Sequence, residues 1–159
     1  QPNQQELSQV DSIEETKSYI KSIAEAMGIT DLRFEQVVEG KYVSIKLQSK
    51  DAAKLIGKRG QTLNSIQQLA QLVLNKTSKT FMMLTLDVED YRQRRQIALE
   101  QLAERMADKA IRSNSKVKFE PMPSYERKII HNALANRLDI ETYSEGEDPY
   151  RYLVIEPMK

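Results

Sequence analysis

The segment Ile56-Gly57-Lys58-Arg59-Gly60-Gln61 constrains the fold of this chain more than any other segment. Its two glycines allow a tight backbone turn and leave room where a Cβ atom would otherwise stand. Residues 51–56 before the turn, and an apolar stripe from Leu63 to Leu74 after it, have helical spacing. The pattern therefore predicts two helices joined by a glycine turn.

The segments around this turn predict a small α+β unit over residues 12–88. A capping box at Ser12-Ile13-Glu14-Glu15 predicts a helix start, and Gly28 predicts its end. We expect the polar, Gln-rich residues 1–11 to be the end of a linker. Alternating apolar residues then predict two strands joined at Glu39-Gly40-Lys41, and a third strand over Met82–Val88. The predicted order is helix, strand, strand, helix, helix, strand, with one three-stranded sheet.

Residues 89–159 predict a second, smaller α+β unit. It starts with a long charged helix from about Val88 to Arg112 and a strand over Lys116–Glu120. Pro123 can occupy the first turn of a further helix, which we expect to run to Asn136. A hairpin of residues 140–143 and 150–155 closes the unit. The residues expected on the inner faces of the two helices are Tyr91, Ala98, Leu99, Leu102, Met106 and Ala110, and Ile130, Ala133, Leu134 and Leu138.

The glycine turn is a candidate phosphate site. The helix that follows it starts with free N–H groups and the positive end of its dipole, and Lys58 and Arg59 add charge at the same place. Such a loop can clamp a sugar-phosphate backbone. A plain helix–helix turn remains the alternative. A nucleotide P-loop is excluded because Arg59 stands where Ser or Thr should hold magnesium.

A second candidate site is Arg127-Lys128-Ile129-Ile130-His131. Arg127 and His131 lie one helical turn apart, so both side chains share a helix face. A guanidinium and an imidazole together can hydrogen-bond a phosphate or stack on a base. His131 is the single histidine of the chain. The alternative is that it packs beside Leu134 as a structural histidine.

Composition limits the function classes. With no cysteine and one histidine, the chain has no disulfide framework and no thiolate zinc site. We expect no catalytic residues, no metal site and no cofactor, and so no enzymatic activity. We also expect no membrane insertion and a cytoplasmic location. Residues 51–120 carry 13 basic and 8 acidic side chains, an excess that suits a polyanionic partner.

The first unit resembles a type II KH domain, because Ile-Gly-x-x-Gly lies between two helices within helix-strand-strand-helix-helix-strand. The resemblance implies that Gly57, Lys58, Arg59 and Gly60 contact the backbone of single-stranded RNA or DNA, with Ile56 in the adjoining groove. Three other features carry weaker signals. Arg92, Arg94 and Arg95 either extend this surface or lie on a solvated helix, and the tyrosines either stack on bases or pack in the sheets. The tract Glu145–Asp148 is expected to be a solvated hairpin tip.

The second unit resembles the R-3-H domain, named for an Arg and a His separated by three residues. Arg127 and His131 follow Pro-x-x-Glu, and Ser144-Glu145-Gly146 and Arg151 follow them. The resemblance implies nucleic-acid contacts by Arg127, His131, Lys128 and Arg151.

A KH domain followed by an R-3-H domain is similar to the bacterial Jag family, also called EloR or KhpB. That resemblance implies a post-transcriptional regulator of cell elongation, division and envelope synthesis that acts with a small single-KH partner protein. We expect this chain to be the C-terminal part of such a protein. Another possibility is a scaffold that self-associates or pairs with another KH protein through Leu69, Val73 and Leu74.

Overall fold

The computed structural model describes the backbone of residues 4–158 and the side chains of residues 8–158. The chain divides into two compact units between Arg92 and Gln93. The helices are α1 (Gln4–Ala26), α2 (Ala52–Ile56), α3 (Gln61–Thr77), α4 (Tyr91–Ser113) and α5 (Ser124–Ala133). The strands are β1 (Arg33–Glu39), β2 (Tyr42–Gln48), β3 (Met83–Val88), β4 (Val117–Lys118), β5 (Ile140–Glu145) and β6 (Tyr152–Pro157). The mixed α+β prediction is confirmed.

Helix α1 begins earlier than its sequence predicted. Ser12 lies inside the helix, where its hydroxyl donates a 2.8 Å hydrogen bond to the Ser8 carbonyl, so the capping box is wrong. Residues 4–11, expected to be linker, are helical because their Gln, Glu and Leu residues favour a helix and contain no breaker. Residues 1–3 of the expected linker lie outside the described part of the chain. Gly28 ends the helix as predicted, with φ at +84°.

Strands β1, β2 and β3 form the predicted three-stranded sheet in that order. β1 pairs antiparallel with β2, and β3 runs parallel to β2. One face is buried because apolar residues occupy every second position of β2 and β3, as the alternation predicted: Val43, Ile45, Leu47, Leu84, Leu86 and Val88. Helices α1 and α3 supply most of the rest of this core, together with Leu55 of α2, Ile29 and Met82.

A row of side-chain amides on α3 covers the outer edge of β3. Gln67, Gln71 and Asn75 lie one turn apart along the helix. Their side-chain oxygens accept hydrogen bonds of 2.7–2.9 Å from the backbone N–H groups of Leu86, Leu84 and Met82. The edge of the sheet is therefore hydrogen-bonded by the helix itself and is closed to an added strand along these residues.

In the second unit, α4 buries a stripe of small residues against β6 and α5. The buried positions are Leu99, Ala103, Ala107 and Ala110, with Leu102 and Met106 partly buried beside them. Ala98, which was predicted to face inward, is exposed. That prediction is wrong because the large residues Leu102 and Met106 suggested a stripe that includes Ala98. The buried stripe is shifted by one residue, to Leu99, Ala103 and Ala107.

The second sheet has the order β4-β6-β5, and both pairings are antiparallel. Its inner face packs on α4 and α5 through Val117, Ile140, Leu153 and Ile155. Helix α5 ends at Ala133 rather than Asn136, so the helical spacing no longer applies to Leu138. Leu138 was predicted to face the core and is 92% exposed.

Carboxylates fix the turn after α5. Arg137 donates to Asp108 at 3.0 Å, to Glu104 at 3.1 Å and to both oxygens of Asp139. These hydrogen bonds raise the pKa of Arg137, with Asp139 as the largest cause and Asp108 next. The turn between α5 and β5 is therefore tied to α4. Among residues 4–158, no helix combines the length and apolar character that crossing a bilayer requires.

Candidate nucleic-acid interface

The glycine turn between α2 and α3 has three unusual backbone conformations within four residues. Gly57 has φ +71° and ψ −175°, a region that only glycine occupies readily. Arg59 and Gly60 follow in the left-handed region, with φ at +56° and +78°. The three conformations reverse the chain within a short 3-10 turn over Lys58–Gly60, so that α3 can begin at Gln61.

Close packing also requires both glycines. A Cβ atom on Gly57 would stand 2.1 Å from Oγ1 and 2.7 Å from Cβ of Thr62. On Gly60 it would stand 2.6 Å from Cε1 of Tyr91. The pair therefore has a structural role whether or not a phosphate binds.

The turn is open on one side and closed on the other. Lys58 is exposed, Gly57 and Arg59 are half-buried, and Gly60 is buried beneath Tyr91. The backbone N–H of Gln61 donates to the Lys58 carbonyl, and that of Gly60 makes a longer, 3.4 Å bond to the Gly57 carbonyl. The expectation that the amides at the start of α3 are free is therefore wrong for Gly60 and Gln61. The accessible charge of the turn belongs to Lys58, with exposed Lys54 near the end of α2.

Asp31 fixes the segment that leads into this turn. Its carboxylate accepts a 2.8 Å hydrogen bond from the Lys50 backbone N–H and a 2.6 Å bond from the Ser49 hydroxyl. The hydrogen bond from Lys50, followed by that from Ser49, lowers the pKa of Asp31. The Ser49 hydroxyl in turn accepts from the backbone N–H of Asp51, just before α2. Ile56, the predicted groove residue, is partly buried against the core.

The second unit contains a cleft of about 370 Å³ between α5 and the β5–β6 hairpin. All four residues predicted for this unit line it: Arg127, Lys128, His131 and Arg151. The remaining lining residues are Ser124, Thr142, Tyr143, Ser144 and Leu153, so the lining combines cationic groups with hydroxyls and contains no carboxylate. Cationic groups and hydroxyl donors are the chemistry that binds phosphate oxygens.

Hydrogen bonds within the protein fix the side chains of the two cleft arginines, Arg127 and Arg151. The Arg127 Nε donates to the Met122 carbonyl at 3.2 Å, and its Nη1 donates to the Ser144 Oγ at 2.8 Å. Arg151 donates to the Gly146 carbonyl at 2.6 Å and weakly to the Ser144 carbonyl at 3.5 Å. Both guanidinium groups therefore converge on Ser144 and shape the cleft as well as charging it.

Lys128 and His131 are the two exposed residues of the motif that line the cleft. His131 Nδ1 is hydrogen-bonded to the Thr142 hydroxyl on β5. Because His131 is exposed, the alternative that it packs in the core is wrong. Arg127, on the same helix face one turn earlier, is the buried member of the pair.

The motif alone did not identify Ser144 and Thr142 as partners of Arg127 and His131. Both hydroxyls lie on the same face of β5, two residues apart, and this face meets α5. An alternation of hydroxyl residues in a strand after a basic helix was the one signal available in the sequence. The pairing itself depends on tertiary contact.

The start of α4 does not form a free basic surface. The Arg92 guanidinium donates to the Leu86 carbonyl, Asn64 and Gln67 at 2.8–2.9 Å. Arg95 forms a 2.8 Å ion pair with Glu126, whose side chain is buried. The guanidinium groups of Arg92 and Arg95 are therefore bound by other groups of the protein. They neither extend a free nucleic-acid-binding surface nor lie fully solvated on the helix.

Two of the tyrosines pack on the outer face of the second sheet. The Tyr143 hydroxyl donates to Glu156 and the Tyr152 hydroxyl donates to Glu145. Lys116 and Lys118 lie over the two rings. Tyr125 and Tyr150 are exposed.

Comparison with known proteins agrees with this architecture. The model of the KhpA/KhpB KH domain matches residues 15–85, and the model of the R-3-H domain matches residues 98–157. The chain is 42% identical to the RNA-binding protein KhpB of Bacillus subtilis, covering 92% of this chain and 71% of that protein. It is also 42% identical to the protein of that name from Clostridium symbiosum, of which it covers 62%. For the Lactiplantibacillus plantarum protein of the same name, the identity is 38% and the coverage is 42%.

The KH-domain match lies within the first unit, and the R-3-H match includes helix α5, which carries Arg127 and His131. The sequence identity to KhpB and the share of both chains that it covers support the same assignment. This chain belongs to the KhpB family.

Proposed function

We propose that this protein binds single-stranded RNA and has no enzymatic activity, with residues 12–88 and 89–159 as two RNA-binding domains. The observation that carries the proposal is the cleft of the second unit, where Arg127, Lys128, His131 and Arg151 converge without a lining carboxylate. A phosphate would meet Lys128 and His131 first, because they are exposed.

The glycine turn supplies the second proposed contact. Its exposed Lys58 and half-buried Arg59 carry positive charge next to Gly57, and the unusual backbone conformation of Gly57 gives the turn its shape. Since the Gly60 and Gln61 amides are engaged, side-chain charge contributes most of the attraction. We propose Ile56, Gly57, Lys58, Arg59 and Gly60 as the residues of this contact.

The relatives support RNA as the ligand, because the proteins of Bacillus subtilis, Clostridium symbiosum and Lactiplantibacillus plantarum are all called RNA-binding proteins. The lack of cysteine fits a reducing compartment, and we place the protein in the cytoplasm. A role in cell elongation or division would follow from the transcripts that it binds. Deleting the coding sequence and measuring cell length and transcript abundance tests that role.

Charge reversal at the turn tests the proposal. The variant Lys58→Asp with Arg59→Asp should bind a fluorescein-labelled 15-nucleotide RNA at least about tenfold more weakly in low salt. The matched control is Lys76→Asp with Lys79→Asp, which makes the same charge change at exposed residues of the same unit. The control should change affinity by less than about threefold. Equal losses in the two variants would mean that only net charge matters.

Salt dependence gives a second readout. Loss of two phosphate contacts on a single strand should reduce the slope of log K against log salt concentration by about 1.4. The same titration with Lys128→Gln and His131→Ala tests the cleft. If affinity and slope both stay at the wild-type values, the cleft does not bind RNA.

A second candidate function is a protein scaffold that pairs through α3. Leu69 and Leu72, one turn apart on α3, are 46% and 68% exposed. Val73, which the sequence also indicated, is half-buried, and Leu74 is fully buried and cannot contribute. The partner would be a second copy or another small KH protein. Light scattering on wild type and Leu72→Lys, with and without RNA, tests this function, since a constitutive dimer without RNA affinity would favour it.

A further inference from the structure

The Arg127 guanidinium has two fixed contacts and one loose contact. The Met122 carbonyl and the Ser144 hydroxyl hold Nε and Nη1, and both belong to ordered backbone or strand. The third nitrogen, Nη2, faces Asp148 Oδ1 at 3.7 Å. That distance is too long for a hydrogen bond, so the contact is an ion pair alone.

The two partners of this ion pair differ in exposure. The Arg127 side chain is 10% exposed, whereas the Asp148 side chain is 74% exposed. Asp148 lies in the loop between β5 and β6, outside the set of residues that line the cleft. An exposed carboxylate can leave such a pair at little cost, because water solvates it almost as well. The arginine is held in place while its anionic partner is free to be displaced.

We propose that Asp148 is a displaceable anionic occupant of the outer side of Arg127 and sets the affinity of the cleft for RNA phosphates. The inference rests on the proposed function of this cleft. A phosphate that approaches the Arg127 guanidinium in the cleft would lie close to the Asp148 carboxylate, which is 3.7 Å from Nη2, and like charges in that position repel. Binding therefore includes the displacement of Asp148, which weakens the contact.

The neighbouring residue offers a matched control. Asp148→Asn and Glu147→Gln remove the same charge from adjacent exposed positions of one loop, and the Arg127 ion pair belongs to Asp148. Asp148→Asn should bind single-stranded RNA about three- to tenfold more tightly at low salt, because one like charge near the phosphate is gone. Glu147→Gln should change affinity by less than about twofold. The gain in Asp148→Asn should shrink as salt screens the repulsion.

The experiment is fluorescence anisotropy with the full chain and labelled RNA, at several salt concentrations. Thermal unfolding followed by circular dichroism checks that both variants are folded. Weaker binding by Asp148→Asn would mean that this carboxylate positions Arg127 for the ligand, and equal gains in the two variants would mean that only overall charge matters. Either result overturns the inference but leaves the proposed function in place if Lys128→Gln still weakens binding. If the wild type binds no RNA, the proposed function fails and this inference fails with it.

Discussion

Replacing Gly57 with alanine measures how strongly close packing determines the shape of the turn. Gly28→Ala is the reference, because Gly28 also has positive φ, at +84°, but an added Cβ would meet nothing within 4 Å. At Gly28 we expect a loss of about 1 kcal/mol, since left-handed strain of ~1–2 kcal/mol is partly offset by reduced freedom of the unfolded chain. This reference measures the loss of stability caused by positive φ alone, without a steric overlap.

At Gly57 we expect a larger loss for two reasons. Its φ and ψ of +71° and −175° lie where alanine is strained by about 3 kcal/mol. The added Cβ would also overlap Thr62 Oγ1 at 2.1 Å, and overpacking of this kind costs ~1–3 kcal/mol. We therefore expect Gly57→Ala to lower the free energy of unfolding by about 4 kcal/mol. For a unit of this size, that corresponds to a fall in Tm of roughly 15 °C or more.

Thermal and urea unfolding followed by circular dichroism measure the two losses. Hydrogen exchange of peptides from residues 42–48 assigns the transition to the first unit, because β2 is the centre of its sheet. If Gly57→Ala and Gly28→Ala agree within about 0.5 kcal/mol, then neither the backbone conformation of Gly57 nor its contact with Thr62 adds to the loss, and the reasoning is refuted.

Three further predictions concern charged side chains and can be checked by denaturant or thermal unfolding. Arg95→Met should destabilise the second unit by about 3 kcal/mol because it removes the ion pair of the buried Glu126, and adding Glu126→Gln should restore at least half. Arg137→Met should cost about 1 kcal/mol, a loss that 0.5 M salt should reduce. Asp31 has a pKa below 3.8 because of its hydrogen bond from Lys50, so its contribution is present above pH 3.8 and is lost as pH falls through the folded-state pKa. Asp31→Asn should therefore be less stable at pH 7, and its stability should fall less on acidification; an unchanged pH profile would contradict this.

The order of helices and strands was predictable because the spacing of apolar residues changes clearly between the helical period and the alternation of a strand. Alternation in β2 and β3, helical spacing in α3, and the glycines at 28, 57 and 60 each have a local physical cause. The start of α1 was not predictable in this way, since a polar segment without a breaker can be linker or helix. The prediction that Leu138 faces the core was wrong for a related reason, because it extended the helical spacing past the end of α5.

The sequence predicted the central residues of the candidate site but not the residues that bind to them. Arg127 and His131 were identified by their spacing and by a family resemblance, and the structure brings both into one cleft. That Arg127 is nearly buried and held by Ser144 depends on how β5 meets α5, which no local pattern contains. Arg95 shows the same limit, because its partner Glu126 lies 31 residues away.

Photo-cross-linking can locate the surface of this protein that contacts RNA. The full chain would be bound to a 4-thiouridine-containing single-stranded RNA, irradiated, digested and mapped by mass spectrometry. We predict cross-linked peptides from residues 54–62 and from the cleft segments 124–131 and 142–153. Cross-links confined to other surfaces, such as β1 or the exposed side of α4, would contradict it.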